Sequence, residues 1–176
     1  EQEQLDALKA FWKQYGNLLI NILTAGALVV LAWQGWTWYQ RNQAGQASAI
    51  YHVLQKAVQE KDTSRIKAAS GELIEKFGRT NYASLGALMA AKAMIDTGDA
   101  KTAKVQLQWA ADKAKDEVRD LARLRLATLL LDEKAYDDAL KQLDGSVTAA
   151  FEPRFIDSRG DVFSAQGKKD EAVKAY

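Results

Sequence analysis

Very few side chains in this sequence could do chemistry. His52 is the single histidine, set in AIYHVLQKA, and the chain has no cysteine. Metal binding needs several soft or nitrogen ligands, so His52 has no partner of its own kind, and thiolate zinc or iron–sulfur sites are excluded. Catalysis by a lone histidine needs a positioned serine or carboxylate beside it. Its place in an apolar, three-to-four-spaced run reads instead as one face of a helix. Carboxylates pair at Asp137-Asp138 and Asp170-Glu171. Both pairs open a helical segment, where negative charge suits the helix dipole. Arg119, Arg123 and Arg125 alternate with Leu121, Leu124 and Leu126, with Glu117 and Asp120 close by. That pattern reads as the solvated stripe of a helix. Gly71, Gly78 and Gly86 are scattered and form no phosphate-binding loop. The inventory indicates no catalytic residue, no metal and no cofactor, and hence no enzyme.

The bulk composition narrows the classes further. The 176 residues are 48% hydrophobic and 27% charged, which fits a folded chain. Twenty-four basic and 23 acidic residues leave a net charge of +1. Without a basic excess, binding to nucleic acid through its phosphates is not expected. One proline and a second half rich in Ala, Leu, Lys, Gln, Asp and Glu point to helices.

The apolar residues are concentrated. No charged residue occurs from Gln14 to Gln40, between Lys13 and Arg41. The core of this run, Leu18 to Tyr39, would make about 33 Å of helix, enough to cross a hydrocarbon layer of about 30 Å. Phe11, Trp12 and Tyr15 flank one end, and Trp33, Trp36, Trp38 and Tyr39 the other, as membrane-interface aromatics do. A cleaved signal peptide would have a shorter apolar region and small residues at its end. A buried core helix would keep a polar face. The run is therefore expected to be a single transmembrane helix in contact with lipid, over residues 17–40. A segment of residues 1–16 precedes it and a domain of residues 41–176 follows. Lys9 and Lys13 before the span, against Arg41 after it, weakly favour a cytoplasmic N-terminus. Within the run, Asn21, Thr24 and Gln34 could bond a partner helix, with Ala25-Gly26-Ala27 allowing close approach. Asn17 and Gln34 are better explained by headgroups or their own backbone. Thr24 with Gly26 is the candidate contact to a partner helix.

The remainder has helical periodicity throughout. Helices are expected at 46–59, 63–77, 82–97, 100–115, 118–132, 136–144, 153–166 and 169–176. Gly78, Gly98 and Gly167 fall where helices end and a left-handed residue is needed. Pro153 suits a helix start. Three segments align: AKAMIDTGDAKTAKVQL, ATLLLDEKAYDDALKQL and GDVFSAQGKKDEAVKAY. Each has a small residue first (Ala91, Ala127, Gly160) and a larger apolar one three places on (Met94, Leu130, Phe163). A turn follows at Gly98, Lys134 or Gly167. Then come an alanine (Ala103, Ala139, Ala172) and a large residue (Leu107, Leu143, Tyr176). The copies start 36 and 33 residues apart. Two antiparallel helices pack closely only where small side chains meet, and this pattern resembles the tetratricopeptide repeat. A degenerate copy over 46–77 is expected. The last copy stops at Tyr176 within its second helix, which suggests a piece of a longer protein.

The fold class expected is all-α: an N-terminal transmembrane helix, then a tetratricopeptide-like solenoid of helical hairpins. In such a solenoid the first helix of each hairpin lines a groove. The register places Leu85, Leu88, Lys92 and Ile95 there in one copy, and Leu121, Leu124, Thr128 and Leu131 in the next. Their apolar character suits a client segment or helix.

The N-terminal anchor with its aromatic flank AFWKQYGN resembles the YfgM family, as do ALMAAKAMIDTGDAKTAKVQLQWA, LARLRLATLLLDEKAYDDALKQLDG and RGDVFSAQGKKDEAVKAY. These are ancillary subunits of the SecYEG translocon in Gram-negative bacteria. The resemblance implies a single-pass inner-membrane protein with a cytoplasmic N-terminus and a periplasmic helical domain. It also implies association with SecYEG and with the membrane-anchored periplasmic chaperone PpiD, and a role in passing exported client polypeptides to chaperones. A scaffold for envelope or outer-membrane assembly is the competing reading. The family carries no functional residue sharp enough to transfer singly.

Overall fold

A computed structural model describes residues 2–176, with side chains described at residue 9 and from residue 11 onward. Among the described residues there are eight helices and no strand: α1 (Gln2–Gln59), α2 (Thr63–Phe77), α3 (Asn81–Asp96), α4 (Ala100–Lys113), α5 (Asp116–Asp132), α6 (Tyr136–Leu143), α7 (Glu152–Ala165) and α8 (Lys169–Ala175). The sequence reading separated a span ending at residue 40 from a helix starting at 46. The backbone is helical through this stretch, which contains no proline and whose Gly45 keeps helical geometry.

The chain forms two units, one up to Gln43 and one from Ala44 to Tyr176. The first lies wholly on α1. Helix α1 is long and apolar enough to cross a membrane, by length and composition. Apart from Leu19, which is half-buried, the large apolar side chains of this stretch, from Leu18 to Tyr39, are exposed. A soluble core helix would bury them, because leaving them in water forfeits about 1.5–3 kcal/mol for each.

In the second unit consecutive helices pack as antiparallel neighbours, α2 on α3, α3 on α4, α4 on α5, α5 on α6 and α7 on α8. The small residues of the repeat lie at these crossings. Ala91, Ala103 and Ala139 are fully buried, and Ala127, Gly160 and Ala172 are buried. A Cβ added at Gly160 would come within 2.4 Å of the Tyr176 ring, so a larger residue there would have to displace that ring. Met94, Leu107, Leu130 and Leu143 fill the core between the alanines. The first hairpin packs onto α3 in the same close way. Leu54 of α1 and Leu73 of α2 are fully buried, and a Cβ on Gly86 of α3 would come within 2.6 Å of Leu73 and 3.3 Å of Leu54.

The helix ends follow their capping chemistry. Asp62, Thr80 and Asp99 accept a backbone N–H of the first turn of α2, α3 and α4. Lys67 of α2 reaches Asp99 at 2.6 Å, and Asp99 also bonds Thr102 through both carboxylate oxygens. The Lys67 ammonium and the Thr102 donors hold the Asp99 carboxyl well below the usual carboxylate range. Gly98 and Gly167 adopt the left-handed conformation as expected, at φ 82° and 77°. Gly78 does not. Its φ is −58°, because Thr80 turns the chain directly into the next helix by capping it. The equivalent turn residue of the middle copy, Lys134, is left-handed without being glycine, at φ 60°. A side chain there costs about 1 kcal/mol, partly offset by the lower entropy of a non-glycine unfolded chain. Lys134→Gly is therefore expected to stabilise the protein by about 0.5 kcal/mol, seen as a rise of one or two degrees in the thermal midpoint. A lower midpoint would show that the Lys134 side chain has a compensating role.

Candidate partner-binding surface

His52 places Nδ1 3.0 Å from Oε1 of Gln55, one turn along the same helix, and lies exposed. Among the described residues no three His, Asp or Glu side chains gather as metal ligands. Asp138 pairs with Lys141 at 2.9 Å on the surface of α6. The surface that the repeat register singles out lies on α3 and α5.

On α3, Leu85, Lys92 and Ile95 are exposed, with Leu85 and Ile95 39% and 43% accessible. Positions 85, 92 and 95 stand one or two turns apart, so they share a side of the helix. Lys92 is tied to Asp96 at 2.8 Å, which spreads its charge along the α3 surface. Leu88 is buried, in the core with Ala87 and Ala91. On α5, Thr128 is exposed and its hydroxyl donates to the Leu124 carbonyl at 3.0 Å. Leu121 and Leu131 are half-buried, packed against the core, and Leu124 is buried. The structure thus divides the eight groove residues. Four are exposed, two are half-buried, and Leu88 and Leu124 are buried in the core. A three-four seam is wide enough to include positions at the edge of the core, and only packing decides which of them turn inward.

Arg125 was missed as a neighbour of this surface. Its Nη1 donates to the Leu88 carbonyl of α3 at 3.5 Å, so it links the two helices that carry the candidate residues. The signal was available: Arg125 follows Leu121 by four and precedes Thr128 by three, which puts it on their side of α5.

The expected solvated arginine stripe is corrected by the structure. Arg123 has only 12% of its side chain accessible. Its Nε donates to the Gln142 carbonyl at 2.8 Å, its Nη1 to the Ser146 carbonyl at 3.1 Å and its Nη2 to the Asp144 carbonyl. Its guanidinium also lies 5.0 Å from the ring centre of Phe155 of α7. Asp120 is fully buried beside it. Oδ1 accepts from Nε and Nη2 of Arg119 at 3.0 and 2.9 Å, and Oδ2 accepts the Thr148 N–H at 2.7 Å. Together these groups hold the segment between α6 and α7. Burial opposes ionisation of Asp120, but the Thr148 and Arg119 donors outweigh it and keep the carboxyl below its usual range. Burial lowers the Arg123 pKa, from a starting value so high that the guanidinium stays charged.

On the first unit, Thr24 donates its hydroxyl to the Ile20 carbonyl of its own helix at 2.8 Å, and a Cβ at Gly26 would meet nothing within 4 Å. Two residues apart on an α-helix means about 200° of rotation. Thr24 and Gly26 therefore stand on different sides of α1.

A family model described as a tetratricopeptide repeat-like domain matches residues 9–176. A Neisseria gonorrhoeae protein named ancillary SecYEG translocon subunit is 36% identical over 181 residues, covering all of this chain and 85% of the relative. The chain belongs to this family. Proteins of the same name from Escherichia coli and Haemophilus influenzae are 30% and 28% identical, again across the whole chain and 85% and 86% of their own lengths. The match agrees with the architecture, since it takes in both the apolar helix and the repeats.

Proposed function

We propose that this chain is a non-enzymatic scaffold, anchored in the bacterial inner membrane and associated with the SecYEG translocon. The observation that carries this reading is full-chain identity to relatives that bear the translocon-subunit name. The outward apolar residues of α1 support residues 17–40 as a single span in lipid. Lys9 and Lys13 support an N-terminus in the cytoplasm, with residues 41–176 as a repeat domain in the periplasm. The repeat surface then meets partner proteins, among them the chaperone PpiD and exported clients, through Leu85, Lys92, Ile95 and Thr128, flanked by Leu121 and Leu131. An exposed apolar pair beside charged and hydroxyl groups suits an amphipathic helix or an extended client segment.

The test is affinity purification of the full chain after gentle detergent solubilisation, with the co-purifying proteins identified. SecY, SecE, SecG and PpiD are expected together. Recovery of outer-membrane assembly machinery in their place would overturn the reading in favour of an envelope assembly scaffold. The double variant Leu85→Glu and Ile95→Glu tests the surface. Loss of two exposed apolar contacts is expected to weaken PpiD or client recovery by about tenfold, with the far-UV circular dichroism unchanged. Undiminished recovery of both would remove this face from the binding reading.

A further inference from the structure

The hairpins from α3 to α8 are not all joined in the same way. The copies containing Ala91 and Ala127 start 36 residues apart, which sets Arg119, Asp120 and Arg123 of α5 at the positions of Ala83, Ser84 and Ala87 of α3. Those three small residues are buried. The same place on α5 holds a fully buried carboxylate and a guanidinium only 12% accessible. Helix α6 has eight residues where its counterpart α4 has 14. Residues 144–151 follow it as a non-helical strap, whereas every other connection between helices has two or three residues.

The strap is tied down by that charged cluster. Arg123 donates to the carbonyls of Asp144 and Ser146, and Asp120 accepts from the Thr148 N–H. Val147 and Phe151 add apolar packing. Beyond the strap, α7 and α8 form a body of their own. Tyr176 lies over Gly160 and donates to Asp161 at 2.9 Å, and among the described residues α8 packs on no helix but α7. No hydrogen bond or ion pair among the described residues runs from residues 152–176 to α1–α6. Their hold on α5 and α6 is packing, with Phe155 1% exposed and its ring 5.0 Å from the Arg123 guanidinium. One arginine therefore grips both the strap and α7.

In a repeat array each unit is held only by its interfaces with neighbours, and opening short of full unfolding follows such units. We propose that the α7–α8 hairpin opens from α5 and α6 as one body, with Arg123 and Asp120 as the latch that keeps the strap, and so the hairpin, closed. Opening uncovers Phe155 and frees the guanidinium beside it. It does not depend on which partner the repeat surface binds.

Hydrogen exchange of the full chain in mild detergent, read by mass spectrometry at low urea, tests this. Peptides from residues 152–176 are expected to exchange together and ahead of those from α3 to α5. Their urea dependence is expected to be weaker, because local opening exposes less surface than unfolding. Arg123→Lys keeps the charge but loses the planar fork that reaches several carbonyls. It is expected to speed exchange of residues 144–176 about tenfold, the worth of one hydrogen bond to a charged group. Exchange in α3 and α4 should stay within about twofold of the parent. Exchange of residues 152–176 in step with α3 to α5 in the parent would overturn the opening, whether or not the variant folds. Separate exchange of α7 and α8 would overturn the single body. Exchange that Arg123→Lys leaves unchanged, or speeds over the whole repeat domain alike, would overturn the latch.

Discussion

Asp120→Ala is expected to destabilise the protein by about 3 kcal/mol, the cost of breaking a buried, hydrogen-bonded charge cluster by removing one member. The carboxylate is fully buried and joins Arg119 to the Thr148 N–H, while Arg123 approaches at 3.8 Å. Its loss strands the Thr148 donor and leaves Arg123, only 12% accessible, without its nearest anion. The segment from Asp144 to Phe151 has few other ties, and it governs how α7 docks on α5 and α6. Urea unfolding of the full chain in mild detergent, followed by circular dichroism, measures the effect. A change under about 0.5 kcal/mol would show that water replaces the carboxylate freely.

The same group sets an acid limit. Its folded pKa is depressed, so its contribution is fully present above the unfolded value of about 3.9 and fades as pH falls through the lower folded value. Asp99, held down by Lys67 and Thr102, acts in the same direction. Stability is expected to decline below about pH 4, and Asp120→Asn should flatten part of that decline. Identical acid titrations of the two proteins would assign it to other carboxylates.

Ala91→Leu is expected to cost about 3 kcal/mol, at the upper end of what overpacking does in a close-packed core. Ala91 is fully buried on α3, in a cluster with Met94, Leu107 and Ala103. The added carbons have no space unless α3 and α4 separate, and separation uncovers the leucines that the crossing hides. The exposed neighbour supplies the control, since Lys92→Ala should remain within about 0.5 kcal/mol of the parent. Equal midpoints for Ala91→Leu and the parent would mean that this crossing is looser than its burial indicates.

How much could be read without coordinates differs by element. The apolar run, the alanine and glycine register from Ala91 to Ala172 and the turns at Gly98 and Gly167 were legible from the sequence. Each is a local demand, either a length of helix without charge, a contact too close for a large side chain, or a backbone angle that favours glycine. Three features depended on tertiary contacts. Leu88 and Leu124 belong to the core because α3 and α5 each meet a neighbour on that side, whereas Leu85 and Ile95 stay open. Spacing by three and four defines a side of a helix, and its edges are settled by what packs there. Arg123 carried the pattern of a surface arginine, yet its partners are carbonyls at Gln142, Asp144 and Ser146. Backbone acceptors leave no trace in residue type, so no pattern could announce them. Gly78 looked like its two counterparts but did not need a left-handed angle, because Thr80 capped the following helix. Residue types and their spacing were enough for a helical chain with an apolar N-terminal helix and small residues at its crossings. Which side chains face a partner and which close the core was decided only when the helices packed, because burial is a property of neighbours brought together from distant parts of the chain.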